Sequence, residues 1–319
     1  MSQDIDFKTI TSATFNGTGL SQVKLNSTQL WLSFTISSNQ QEVNLNTLAS
    51  SAGWNGTAPV VVTINSGIYV WSDSTSTPAL TIGSFPQGLY IINNGNIMGK
   101  GGAGGDGGAN SHTSTNGGAG GVAISLGSNV IIKTTTGYIG GGGGGGGGGH
   151  LNQSSNRCGG GGGGAGGGDG GDGHYANGGA GGSLGNDGSH SQYGNYHGYG
   201  GNGGGGSGSN AYAASEKGNW TVYSSGGGGG GRYFPSSTRS ADTLYADGGQ
   251  GGAAETQGGP GATYSGTGSY KISGAGGGGW GAAGGDSYRT GGAAGKAVAL
   301  NSYSCTFSGS DSHVYGAVS

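Results

Sequence analysis

Gly137-Tyr-Ile-Gly140 opens a run of glycine that continues unbroken to Gly149. Such a run has two physical readings. Left unpacked, a glycine chain is a random coil and serves as a linker. Packed, it forms a polyproline-II-type helix of three residues per turn rising about 3.1 Å per residue, so ten residues would reach about 31 Å. That helix has no internal hydrogen bonds, so each N–H and C=O must find a partner on a neighbouring chain. Close lateral packing supplies the partners only where side chains are absent, as at the collagen axis.

The rest of the chain favours packing. Glycine makes up 87 of 319 residues, and only eight of these precede residue 99. Further tracts occupy Gly99–Gly108, Gly117–Gly121, Gly159–Gly173, Gly178–Gly182, Gly198–Gly206, Gly226–Gly231, Gly248–Gly252, Gly258–Gly261, Gly274–Gly281 and Gly291–Gly295. Nothing between them is long enough to be a domain that a linker would join. The intervening segments also hold many Tyr and Trp residues, an unlikely composition for a coil. Ordering glycine is entropically expensive. Interhelix hydrogen bonds, each worth about 0.5–1.5 kcal/mol net, must offset that cost. Interior helices should be glycine on all three faces, and peripheral ones can carry a residue outward. Asp169 and Asp172, three apart, would then lie along one edge.

Composition closes off other classes. Collagen needs a strict Gly-X-Y period and many prolines, and this chain has five. The net charge of -3 and the abundant aromatics are unlike a disordered chain. Charges are scattered singly, so no nucleic-acid footprint is expected. No apolar run is long enough to span a bilayer. The N-terminus shows no signal peptide, so synthesis in a cytosol is expected. Cys158 and Cys305 could pair, but two isolated thiols in a cytosolic product are more often simply thiols.

Upstream of the tracts, β-branched runs read as short strands: Val23–Leu25, Leu30–Ile36, Val60–Ile64, Ile68–Trp71 and Ala79–Ile82. An internal repeat is present. Ala79–Gly83 followed by Leu89–Gly102 is echoed by Ala123–Gly127 followed by Val130–Gly140, and loosely by Ala297–Gly316. In each copy a strand pair bounds a glycine tract, and these pairs are read as β elements clamping the tracts at one end. The expected fold is mostly irregular and all-β, a bundle of glycine-rich helices clamped by small β elements. Its expected parts are an attachment or oligomerisation region (residues 1–50), a β-strand block (51–98), the helix bundle with its loops (99–296) and a closing β segment (297–319). Trp31, Phe34 and Trp54 are read as a docking surface for a partner or sister chains, with local core as the alternative.

If the tracts are antiparallel rods, the segments between them are loops at the two ends of the bundle. Rich in Tyr, Ser, Asn and Gly with some Arg and Trp, they resemble antibody paratopes in composition. Tyr193, Tyr196, His197, Tyr212, Trp220, Tyr223, Arg232, Tyr233, Phe234, Arg239, Tyr245, Tyr264, Tyr270, Tyr288 and Arg289 are the candidate binding residues. Trp280 and Tyr199 lie inside tracts and read as packing residues.

No catalytic set is visible, so no enzyme activity is expected. G-x-G-x-x-G matches arise by chance at this glycine content. The stretch Gly167–Tyr175 fits one calcium-binding nonapeptide unit but has no tandem copy. The six histidines show no metal-ligand spacing with the cysteines. Neither metal nor cofactor is expected.

The order of these features resembles the tail-fibre tip adhesins of T-even-type phages. The likeness covers roughly residues 55–319. It rests on Ala58–Ile64, on Tyr90–Gly105 with its Asn-Asn-Gly turn, on Gly137–Gly140 with the pure glycine run, and on later tracts alternating with loops. It implies a polyglycine-II sandwich whose distal loops bind an outer-membrane protein or surface glycan of a Gram-negative host. It implies a tail or tail-fibre protein as the second partner and the virion tip as the location. An ice-binding protein or a secreted glycine-rich cell-surface protein is the competing reading. The former needs a regular Thr/Ala array, and the latter an export signal.

Overall fold

Val60, Val62 and Ile64 point inward from one short strand, and each has an apolar neighbour in register on the strand before it. That alignment organises the β part of the molecule. The computed structural model describes residues 14–15, 18–109, 113–151, 158–173, 177–178, 180–184, 186, 204, 230, 232, 252, 255–260, 263–265, 269–271, 273–309 and 313–319. Strands dominate, and the single helix among the described residues is Leu45–Ser51, capped by Asn44, whose side chain accepts from the Thr47 N–H.

The strands do not form separate clamps. Thr28–Ile36, Val60–Ile64, Leu89–Asn93, Val130–Thr134 and Cys305–Phe307 lie side by side in parallel in one sheet, whose edge is the antiparallel strand Gln22–Leu25. Gln40–Gln41, Tyr69–Trp71, Asn96–Met98, Tyr138–Gly140 and Val314–Tyr315 form a second parallel sheet. Val43–Asn44, Leu80–Thr81, Ile124–Ser125 and Val298–Ala299 form a third. The described residues visit the three sheets in turn and repeat, winding as five coils of a parallel β-helix, the last of which meets the third sheet through the Val298–Val318 bridge. The sequence repeat is therefore one coil of this helix.

Alternation puts every second side chain of a strand inside, and stacking in register turns those side chains into ladders. Phe34, Val62, Ile91, Ile132 and Phe307 make one in the first sheet. Val70, Ile97, Ile139 and Val314 make one in the second, and Val43, Leu80, Ile124 and Val298 one in the third. Full burial of such a side chain is worth about 1.5–3 kcal/mol. The corner between first and second sheets is tight. A Cβ on Gly95 would sit 2.5 Å from the Ile68 carbonyl oxygen, and one on Gly137 would sit 2.6 Å from that of Asn93.

The boundaries expected from the sequence shift accordingly. The strand Thr28–Ile36 pairs with Val60–Ile64, so residues on both sides of position 50 form adjacent coils of the same β-helix. Residues 123–140, 297–309 and 313–319 also belong to the coils. The glycine tracts leave the β-helix at two breaks between second and third sheets, after Met98 and after Gly140. They return at Ile124 and Val298.

Within the tracts, hydrogen bonding repeats every three residues, where a β-ladder repeats every two. Gly142, Gly145 and Gly148 donate to the carbonyls of Gly121, Gly118 and Thr115. Gly143, Gly146 and Gly149 donate to Ala165, Gly162 and Gly159, while Gly144 and Gly147 donate to Ala282 and Gly285. The carbonyls of the same tract accept from three more segments: from Gly99, Gly102, Gly105 and Gly108; from Gly281, Gly278 and Ala275; and from Gly295, Gly292 and Arg289. The tract 140–149 thus has six hydrogen-bonded neighbours. Side chains are excluded by contact: a Cβ on Gly145 would lie 1.8 Å from the Ala103 carbonyl oxygen, and one on Gly144 would lie 1.9 Å from that of Gly292. Residue order along these pairs shows that the tract entering a turn and the tract leaving it are antiparallel.

Candidate functional site: the two ends of the glycine tracts

Antiparallel tracts divide their connections between an end near the β-helix and a far end. At the near end, buried Met98, Ala165 and Trp280 pack together, with Tyr69, Trp71, Leu184 and Tyr315 around them. Trp280, which interrupts a tract in the sequence, is fully buried there. A polar group sits beside this contact. Arg232 Nη1 donates to Asp73 Oδ1 at 2.6 Å and its Nε to the Gly166 carbonyl at 3.1 Å. Lys100 Nζ donates to the Gly167 carbonyl at 2.7 Å. Burial of Lys100, together with the charge of Arg232, holds its ammonium below the usual lysine range, against the pull of Asp169 and Asp73.

One edge of the tracts uses carboxylates as acceptors. Asp169 Oδ1 accepts from the Gly181 N–H at 2.7 Å, and Asp172 Oδ1 accepts from the Gly178 N–H at 2.7 Å. Both aspartates are exposed and lie three residues apart on one edge, as the three-residue period requires. Their carboxylates hold Gly178 and Gly181 where a backbone carbonyl would otherwise serve.

The far end gathers the turn Asp286–Thr290, the returning segment around Ser114 and the end of the long tract at His150. The turn is braced at both flanks. Asp286 Oδ1 accepts from the Gly291 N–H at 2.9 Å, and Ser287 Oγ donates to the Ser273 carbonyl. The Ser287 N–H donates to the Arg289 carbonyl, and the Arg289 N–H to that of Gly148. Tyr288, 51% exposed, projects between them. Its ring centroid lies 4.7 Å from that of His150. The Arg289 guanidinium carbon lies 5.4 Å from the same ring, and its Nε donates to the buried Ser114 hydroxyl at 2.9 Å.

Of the candidate binding residues, Tyr288 and Arg289 are brought together here. Tyr264 and Tyr270 are directly opposed partners in the antiparallel hairpin Thr263–Ser265 with Ser269–Lys271. Arg232 lies at the other end, 5% exposed and committed to Asp73. Tyr193, Tyr196, His197, Tyr199, Tyr212, Trp220, Tyr223, Tyr233, Phe234, Arg239 and Tyr245 lie outside the described residues. Sequence reasoning did not single out Ser114, His150 or Asp73. His150 carried a usable signal, being the first side chain after the ten-glycine run.

The aromatics expected to dock a partner are occupied within the chain. Trp31 is 1% exposed, and Phe34 packs on the β-helix core. Trp54 stacks on Phe85 with centroids 4.7 Å apart and donates its indole N–H to the Ala58 carbonyl at 2.7 Å. Cys158 and Cys305 are free thiols. Among the described residues, no group of three His, Cys, Asp or Glu is placed to hold a metal, and no helix is long and apolar enough to cross a membrane.

A family model described as phage tail fibre adhesin Gp38 matches residues 32–222. The crystal structure of the gp37-gp38 adhesin tip complex of the bacteriophage S16 long tail fiber is similar at 19% identity, over 92% of this chain and 84% of that one, with a TM-score of 0.45. No curated protein matches.

Proposed function

The chain belongs to the phage tail fibre adhesin Gp38 family, and from that premise we propose that it is a receptor-binding tip of a tail fibre, gripping the bacterial surface with the far end of its glycine tracts. The target is an outer-membrane protein or a surface glycan of a Gram-negative host, and the mode of action is binding without catalysis. A phage tail-fibre protein is its partner on the virion. The tracts form a polyglycine-II sandwich, a reading supported by the three-residue hydrogen-bond period and the six neighbours of residues 140–149.

One observation carries the proposal. The turn Asp286–Thr290 presents Tyr288 and Arg289 at the far end, braced on both flanks by tracts made almost wholly of glycine. Rigid aromatic and guanidinium groups on a stiff support are what recognition by loops needs. The test is to exchange residues 109–116, 150–158 and 286–290, singly and together, for those of a family member with a different host. Adsorption of phage carrying each chimera is then measured. A transferred host range supports the proposal, and an unchanged range for every chimera overturns it.

A further inference from the structure

Arg289 is held in an unusual state for an arginine. Its Nε is fixed on the Ser114 hydroxyl, which is 4% exposed, and the guanidinium leans over the Tyr288 ring. Neither contact neutralises it. Among the described residues its Nη groups have no acceptor, and Arg232 with Asp73, at the opposite end, is the one ion pair. The nearest carboxylate in sequence, Asp286, accepts from the Gly291 N–H.

A guanidinium fixed through Nε presents its two Nη groups as a planar fork. That fork fits the two oxygens of a carboxylate or phosphate, and bidentate pairs of this kind are the strong charge-assisted ones. The surroundings add a second preference. Tyr288 offers half of its surface to solvent, and Thr115 and Thr290, the chain neighbours of Ser114 and Arg289, are exposed. An aromatic face with hydroxyls around one cation suits a ring bearing C–H faces, hydroxyls and a single anionic group.

We infer that Arg289, with Ser114, His150 and Tyr288, forms a subsite for an anionic saccharide, a sugar of the host surface that carries a phosphate or a carboxylate. Ser114 is a positioning residue that fixes the fork. Arg289 makes the contact, and Tyr288 supplies the flat neighbour. This rests on the proposal that the far end faces the host.

The test uses the full chain and lipopolysaccharide purified from the strain to which the phage adsorbs, with binding read at low and high salt. The native chain should bind, and raising salt should weaken it. Arg289→Gln should lose at least tenfold in affinity and most of the salt dependence. Arg289→Lys, which keeps the charge without the fork, should fall between the two. Chemical dephosphorylation of the lipopolysaccharide should weaken the native chain to the level of Arg289→Gln if phosphate is the anion. Carboxyl reduction should do so if it is a sugar acid. These two arms need no variant, so a folding defect in Arg289→Gln would not obscure the result. Equal binding by the native chain and a folded Arg289→Gln overturns the subsite, as does native binding that survives both chemical treatments. Binding to an outer-membrane protein but not to lipopolysaccharide overturns it too, while leaving the adhesin reading intact. A native chain that binds no host cells overturns the adhesin reading itself.

Discussion

Arg232 Nη1 lies 2.6 Å from Asp73 Oδ1, joining the end of a glycine tract to a turn of the β-helix across 159 residues of sequence. The arginine is buried and the aspartate half exposed, with side chains 6% and 50% accessible. Removing the carboxylate strands a buried cation. Asp73→Asn should therefore cost about 1–3 kcal/mol, less than the ~3–5 for a fully buried pair because water reaches the aspartate. Thermal unfolding of the full chain measures this.

The same pair sets a pH dependence. Burial pushes the Asp73 carboxyl up, but the hydrogen bond and charge of Arg232, with help from Trp71 and Lys100, outweigh it, so the group titrates below the usual aspartate range. A depressed carboxyl adds stability that is complete above the unfolded value of about 3.9 and is lost as pH falls through the folded value. The difference in melting temperature between native chain and Asp73→Asn should hold at neutral pH and shrink as pH drops below about 4.

Gly145 tests the tract packing. A methyl group there meets the Ala103 carbonyl oxygen at 1.8 Å. That contact is backbone on backbone, so no side chain can swing away. Gly145→Ala should cost about 3 kcal/mol or more, at the upper end for overpacked sites. Gly19→Ala, where nothing lies within 4 Å, should melt within about 0.5 kcal/mol of the native chain. Equal melting of the two variants would contradict the packing described for residues 140–149.

Both thiols are shielded. Burial raises Cys158 to about 12 and Cys305 to about 11. Thiolate, the reactive form, is scarce in each at neutral pH. A maleimide should label neither cysteine in the native chain at pH 7.4 and both after denaturation. Reducing agent should leave the melting temperature unchanged, because the two are not bonded to each other.

Ile97 occupies the centre of a ladder, fully buried between Val70 and Ile139. Ile97→Ala should cost about 2–5 kcal/mol, the range for a large-to-small change in a packed core. Exposed Ile131, on the first-sheet strand Val130–Thr134, should lose far less on the same change.

Strand content and glycine packing were legible because both depend on local composition. Val60–Ile64 and Leu89–Asn93 are β-branched runs bounded by turn residues, and Gly140–Gly149 admits few packed structures. The winding of the strands was not legible. A coil pairs with the coil before and after it, and two of the coils are interrupted by glycine segments. Val298 thus follows Ile139 through a long excursion, although Ile124 is its neighbour in the third sheet. Residues at the far end were partly legible. Tyr288 and Arg289 stand out by type, whereas Ser114 is one serine among many until the fold sets it under a guanidinium. Arg232 shows the converse, since nothing in its sequence neighbourhood names Asp73 as its partner.

A support built from bare backbone has no side-chain vocabulary of its own. Whatever segment replaces Asp286–Thr290 meets only carbonyls and amides at its two anchor points, and these are the same for every loop. New tips can therefore be grafted onto an old base without any matching change in the base, and a crossover within one glycine block would join foreign halves without a seam.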